Sequence, residues 1–396
     1  MTGAPRCLVM GAGRVAGGHL APLLEGAGWK TTLVCRNGEV REAINEGGGL
    51  WLRTVGGGAE DRWVGGVSAV SREGTELANL AAEASLVATA VGPTSLRDVG
   101  RTLAPALRHR LETTGRPVNV IAFENSPRSA QLFAAGIIEA EPALAREVGR
   151  RVGIGGAALW RTVSKRDITP EGMRFDANRE DDCYVDGASL VPGLPPLDGS
   201  VPGLTLVRSF NDRMVEKLWI FNAGHAAAAY LGWHAGCERL DEAMEQPEIC
   251  DTVTAVVEEA GAAFKFYLDS RPGSEPIPPH SAEKILSLYL DPALRNPISR
   301  VGREPRRKLG HDDRLIGPAV AATAAGFEPF ALAGAAAAAL GYAEPNDPQA
   351  LDLQREVSLL GPDEVLATVG TLDRHDELTR LISGRFRERM SRGVAR

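Results

Sequence analysis

Three hydrogen-bonding side chains interrupt an otherwise apolar run, Lys217-Leu-Trp-Ile-Phe-Asn222-Ala-Gly-His225, which leads into Ala226–Ala229. On a regular helix with Lys217 at 0°, His225 falls at about 80° and Asn222 at about 140°. All three then share one half of the helix. Burying them without partners is costly. They are either a catalytic set, or an Asn and a His satisfied in the core with a Lys snorkelling out at the helix start. A second group, Arg300-Val-Gly-Arg303-Glu-Pro-Arg306-Arg307-Lys308, packs five cations into nine residues, with His311 nearby. Such a cluster reads as a solvated basic loop, a nucleic-acid patch or a trap for a small anion. The third group, Gly11-Ala-Gly13-Arg14-Val15-Ala16, is a GxGxxA turn. There Gly11 permits the tight turn, Gly13 admits a pyrophosphate to the backbone, and Ala16 lets the helix pack on the sheet.

The flanking segments supply the elements this turn needs. Residues 6–10 read as a buried strand, 19–25 as a helix and 31–35 as a second strand. An NAD site usually ends that second strand with an acid on the ribose 2′-hydroxyl. Here the place holds Cys35-Arg36. Losing the acid and gaining a guanidinium favours NADP(H), with NAD(H) possible. Apolar runs at 84–91 and 118–123 fit further parallel strands. Their ends make Val91, Gly92, Glu124 and Asn125 candidates for ligand contact; Asn125 is equally a turn or helix-cap residue. The pattern from 153 to 206 is irregular, and 191–203 is the strongest loop signal. Beyond it the chain reads as helices over 211–235, 250–266, 281–289, 318–341, 348–360, 362–372 and 377–390. The expected fold is α/β: a doubly wound Rossmann-type nucleotide-binding domain (1–203), then a mostly α-helical substrate domain (204–396), with the cleft between them.

Composition narrows the function. The 396 residues carry 44 basic and 51 acidic side chains, a formal net charge of −7, which gives no global attraction to nucleic acid or anionic lipid. The apolar start at Cys7–Met10 breaks at Gly11, too early for a secretory signal. The longest apolar stretch, 319–341, is mostly Ala and is interrupted by Glu328-Pro329, which argues against a membrane span. Five cysteines without a CxxC pair fit reduced cytoplasmic thiols and no zinc site.

These pieces together resemble mannitol-1-phosphate 5-dehydrogenase, within the polyol-specific long-chain dehydrogenases that work without zinc. The likeness runs nearly end to end. It is carried by Gly11-Ala-Gly13, Ala88-Thr-Ala-Val-Gly-Pro93, Val120-Ile-Ala-Phe-Glu-Asn125, and Lys217 with Asn222 to His225 and Ala229-Tyr-Leu-Gly232. Further on it includes Arg295-Asn-Pro297, Arg300-Val-Gly-Arg303, Arg307-Lys-Leu309, Asp313-Arg-Leu-Ile316 and Asn346-Asp-Pro-Gln-Ala350. The resemblance implies that Lys217 is the general acid–base. It implies that Asn222 and Asn125 bond the reacting oxygen, and that His225 holds a substrate hydroxyl. It also implies that Arg300, Arg303, Arg307 and Lys308 meet a substrate phosphate. A lysine in place of zinc fits the absence of clustered metal ligands. The partner is then a small polyol, ketose or sugar phosphate, and the protein a monomer.

Four departures from the family pattern broaden the substrate. They are Cys35-Arg36, Trp160 in place of an acid, a shortened stretch before Arg300, and the order Asp181-Asp182-Cys183-Tyr184. A specialised reductase for another sugar phosphate, cyclitol or ketose fits them too. The rivals are an epimerase or lyase that oxidises transiently and retains its cofactor, a non-catalytic NADP sensor, and an opine-type dehydrogenase.

Overall fold

The computed structural model describes residues 3–393 apart from 57, 74–75, 125, 195–196, 198, 273–276, 278–279 and 295. The chain divides into two compact units, Met1–Asn211 and Asp212–Arg396. The first holds β1 (Arg6–Met10), β2 (Lys30–Cys35), β3 (Gly49–Thr54), β4 (Glu60–Gly65), β5 (Val67–Ser71) and β6 (Leu86–Thr89). It continues with β7 (Val118–Ala122), β8 (Val152–Leu159), β9 (Val163–Thr169), β10 (Gly172–Ala177), β11 (Cys183–Asp186) and β12 (Leu204–Val207).

Eight strands form one sheet in the order β12-β11-β8-β7-β6-β1-β2-β5. From β5 to β8 all neighbours are parallel. Renumbered among themselves, these six follow the 3-2-1-4-5-6 order of a doubly wound dinucleotide fold. β11 adds antiparallel to β8, and β12 adds parallel to β11. Successive residues face opposite layers. Cys7 and Val9 join Leu33, Ile121 and the 14–26 helix on one side. Leu8, Met10 and Val120 join the helices Leu96–Thr114 and Ser129–Ala140 on the other. Burial on both faces explains why these strands read as continuous apolar runs.

A smaller sheet, β4-β3-β10-β9, covers the first layer. A Cβ at Gly17 would lie 2.2 Å from the Phe175 ring, so the missing side chain is what lets β10 reach the helix behind the glycine turn. The irregular pattern of 153–206 thus resolves into five strands, β8 to β12. β9 (VSKRDIT) hid because only its first residue is buried, which leaves little alternation to detect.

In the second unit, residues 210–234 form one continuous helix whose segment Lys217–Phe221 is a π-turn. Ala226–Ala229 are fully buried. Around this helix pack Pro247–Asp269, Phe330–Leu340 and Ile298–Gly302. The single helix expected over 318–341 is two, Ile316–Ala324 and Phe330–Leu340. Gly326 turns left-handed at φ +84°, and Pro329 begins the next helix. Both carboxylate oxygens of Glu259 then accept the Ala331 amide and one accepts Leu332, which replaces the missing helical bonds at that N-terminus.

Candidate active site

In the first unit, Met10 is level with Val34 and Thr89 across the sheet. The chain therefore leaves β1, β2 and β6 at one edge, where the strand order reverses and ligands bind in such sheets. Gly11 has φ +119°, and a Cβ there would fall 2.5 Å from the Ala90 carbonyl oxygen. The nearest atom to a Cβ on Gly13 is that oxygen at 3.7 Å, so the backbone there stays open to approach. Arg14 and Val15 begin the helix, and Ala16 is fully buried against the sheet. This cradle fits a pyrophosphate. Arg36 is exposed one residue beyond the buried Cys35.

Glu124, one of the residues expected at the cofactor, also has a structural part. Its carboxylate is buried and accepts the Thr89 hydroxyl at 2.7 Å and the Val91 amide at 2.9 Å. Burial pushes its pKa up, against these bonds and one from the Gly92 amide. Glu124 thereby fixes the turn that presents Val91 and Gly92. Asn125 lies outside the described residues. Trp160 is buried, and its amide donates to the Asp182 carbonyl at 3.0 Å.

In the second unit, the π-turn alters the geometry expected of the Lys-Asn-His set. The Asn222 amide bonds to the Lys217 carbonyl, five residues back. This wide turn swings Asn222 toward the Lys217 face, where a regular helix leaves them about 140° apart. Lys217 is buried at 6% exposure, and Asn222 and His225 are half-buried, so Lys217 does not snorkel into solvent. The His225 ring stacks on Tyr289 at 5.5 Å and lies 5.4 Å from Phe221. The Tyr289 hydroxyl donates to the Phe221 carbonyl at 2.5 Å. Gly224 makes room for it: a Cβ there would sit 2.9 Å from the Tyr289 oxygen. Desolvation, then the charges of Arg300, Lys308, Arg314 and Lys217, push the His225 pKa down to about 3, so the imidazole is neutral.

The basic segment closes on this histidine. A cavity of about 200 Å³ is lined by His225, Ala226, Arg300, Val301, Arg303, Glu304, Arg307, Lys308 and Arg314. All four expected phosphate contacts therefore share one pocket with His225. Arg306 does not line it, because it pairs with Glu356. His311 bonds to Asp312 and is also outside the lining. Arg314 was not singled out from sequence. It returns to the pocket only because the chain reverses after Lys308, and its Nε donates to Asp313 at 2.6 Å. Lys308 is buried at 4% exposure, with Nζ donating to the Val301 and Arg303 carbonyls. Desolvation, followed by Arg314 and Arg307, lowers its pKa to about 7.

Among the described residues no group of three or more His, Cys, Asp or Glu is placed to hold a metal ion. Nor is any helix among them long and apolar enough to cross a membrane.

A parallel-sheet domain with an open glycine cradle, followed by a helical domain with a polar pocket, is the layout of a two-domain dinucleotide-binding enzyme. Residues 5–185 match the mannitol dehydrogenase Rossmann domain, and residues 207–380 the mannitol dehydrogenase C-terminal domain. The chain belongs to the mannitol dehydrogenase family and is an enzyme of that polyol dehydrogenase class. The fold is shared with Pseudomonas fluorescens mannitol 2-dehydrogenase, solved as a ternary complex with NAD and D-mannitol. That likeness has TM-score 0.70 and 15% identity, over 100% of this chain and 93% of that one. A D-sorbitol dehydrogenase solved substrate-free gives TM-score 0.79 and 15% identity, over 99% and 94%. An octopine dehydrogenase complex with NADH and agmatine is more distant, at TM-score 0.51 and 12% identity over 94% and 100%.

Proposed function

We propose that the protein interconverts a sugar-alcohol phosphate and its ketose phosphate, of the mannitol 1-phosphate/fructose 6-phosphate type, with NADP(H) preferred and without metal. The observation that carries the phosphate is the cavity in which Arg300, Arg303, Arg307, Lys308 and Arg314 surround one face of His225. Five cations against the two acids Glu304 and Asp313 leave the surplus positive charge that a phosphate dianion needs. Arg36, exposed where an acid would disfavour a 2′-phosphate, supports the cofactor preference.

The bound nicotinamide would supply or accept the hydride. Negative charge then builds on the carbonyl oxygen during reduction. The Asn222 side-chain amide donates to that oxygen, with Asn125 as its proposed counterpart. The Lys217 ammonium delivers the proton, and in oxidation neutral Lys217 takes it back. His225, neutral and packed in a three-ring cluster with Phe221 and Tyr289, orients a hydroxyl by donating or accepting a hydrogen bond without carrying charge.

The test is nicotinamide absorbance decay with NADPH or NADH crossed with fructose 6-phosphate or fructose. Rapid oxidation of NADPH by the phosphorylated ketose alone is the expected result. Equal turnover of fructose and fructose 6-phosphate would overturn the phosphate reading, and equal use of both cofactors the NADP reading.

A further inference from the structure

Glu304 is the odd member of the cation pocket. Glu304 lines the cavity, and its carboxylate pairs with Arg307 Nε at 2.9 Å and, more loosely, with Arg303 Nε at 4.0 Å. Its backbone is left-handed, φ 61° and ψ 55°, a conformation shared among described non-glycine residues only with Thr371. For a residue with a Cβ that conformation is strained. The surroundings enforce it. The buried Asp347 accepts the Glu304 amide at 2.8 Å with one oxygen and the Gln349 amide at 3.0 Å with the other. Two residues earlier, the Gly302 carbonyl accepts the Tyr230 hydroxyl at 2.9 Å. With the loop tied on both sides, the Glu304 carboxylate is held at a site whose other charged lining residues are all cations.

We infer that Glu304 is a specificity-determining residue: a built-in counter-charge that sets how much negative charge the pocket accepts. The inference rests on the reading of this cavity as an anion subsite. Opposite it, five guanidinium and ammonium groups without an internal acid would take any polyanion. With Glu304 held there, each additional charge on a ligand meets a repulsion that scales with that charge. Glu304 thereby lowers the advantage that bisphosphates and polyphosphates would otherwise have over a single phosphomonoester. Asp347 is a positioning residue that keeps the carboxylate in place.

The experiment measures sulfate and nitrate binding to the full-length protein by titration calorimetry at pH 7, for wild type, Glu304→Gln and Glu304→Asn. Both variants remove the charge. Asn in addition tolerates the left-handed backbone, so it guards against a folding failure of the Gln variant. Nitrate carries one charge and sulfate two. If nitrate tightens by some factor, sulfate tightens by roughly the square of it. A purely structural role would shift both ions alike. A sulfate-to-nitrate preference unchanged or lowered in both variants overturns the role of Glu304. Sulfate binding to none of the three proteins removes the anion subsite and the inference with it. The assay needs no turnover, so a dehydrogenase reading that fails in the crossed assay leaves a shifted preference standing.

Discussion

Lys308 offers a sharp test of the pocket, because its burial ties anion binding to pH. The ammonium ordinarily loses its proton near pH 10.5, and here burial brings that down to about 7. Arg314 and Arg307 push the same way, while Glu304 and Asp313 oppose them. An incoming dianion favours the charged form, so binding draws a proton onto Lys308 whenever the free pocket lacks one. The sign follows: affinity is full well below pH 7 and falls as pH rises through about 7. With a pKa of about 7, roughly half of the free protein holds the proton at pH 7 and about one part in a hundred at pH 9. Sulfate, whose charge does not change over this range, should therefore bind about fiftyfold more weakly at pH 9 than at pH 7. Calorimetry in buffers of different ionisation heat should show close to one proton taken up per sulfate at pH 9. Lys308→Met should bind more weakly throughout, with a flat profile. A flat wild-type profile without proton uptake would refute the reasoning.

Other expectations follow from single residues. Lys217→Met should lower turnover by about a hundredfold or more while NADPH still binds, as followed by nucleotide fluorescence; retained turnover would end the acid–base assignment. Arg36→Glu should weaken NADPH by about tenfold or more and leave NADH binding intact, and equal loss of both would show that Arg36 does not meet the 2′-phosphate. Arg110 is buried at 2% exposure, and its guanidinium donates to the carbonyls of Ala81, Ala82, Ala84, Arg116 and Pro117. Arg110→Met strands those acceptors and should cost about 3 kcal/mol or more in urea unfolding; a loss under about 1 kcal/mol would show that water replaces the bonds.

The dinucleotide half of the fold was legible because its strands are buried on both faces, and two of them, β1 and β6, run on to Gly11 and Gly92, whose backbone demands are unusual. β1, β2, β6 and β7 each announce themselves as apolar runs. The smaller sheet was not legible. β4 (EDRWVG) and β9 expose most of their side chains, so their pairing is decided by contacts distant in sequence. The basic segment showed its charges but not its geometry. Sequence does not tell that Arg306 turns away to Glu356 while Arg314, six residues past the cluster, turns in. Nor does it tell that an aspartate at 347 holds the backbone of residue 304. The Lys-Asn-His spacing was visible, but its angular relation was not, because periodicity assumes a uniform helix.

That non-uniformity bears on how the chain tolerates insertion and loss. Between Lys217 and Phe221 the helix holds surplus length in its hydrogen-bond ladder. Removing one residue there would restore an ordinary ladder without breaking the helix. Asn222 would then bond Lys217 from four residues on instead of five, so everything after it, His225 included, would keep nearly its present bearing relative to Phe210–Glu216. The enzyme's polar stripe is thus written in two phases joined at a splice. A single deletion at that splice would yield a protein that folds with its histidine facing nearly as before, whereas the same deletion in the regular turns between Asn222 and His225 would swing it by about 100°.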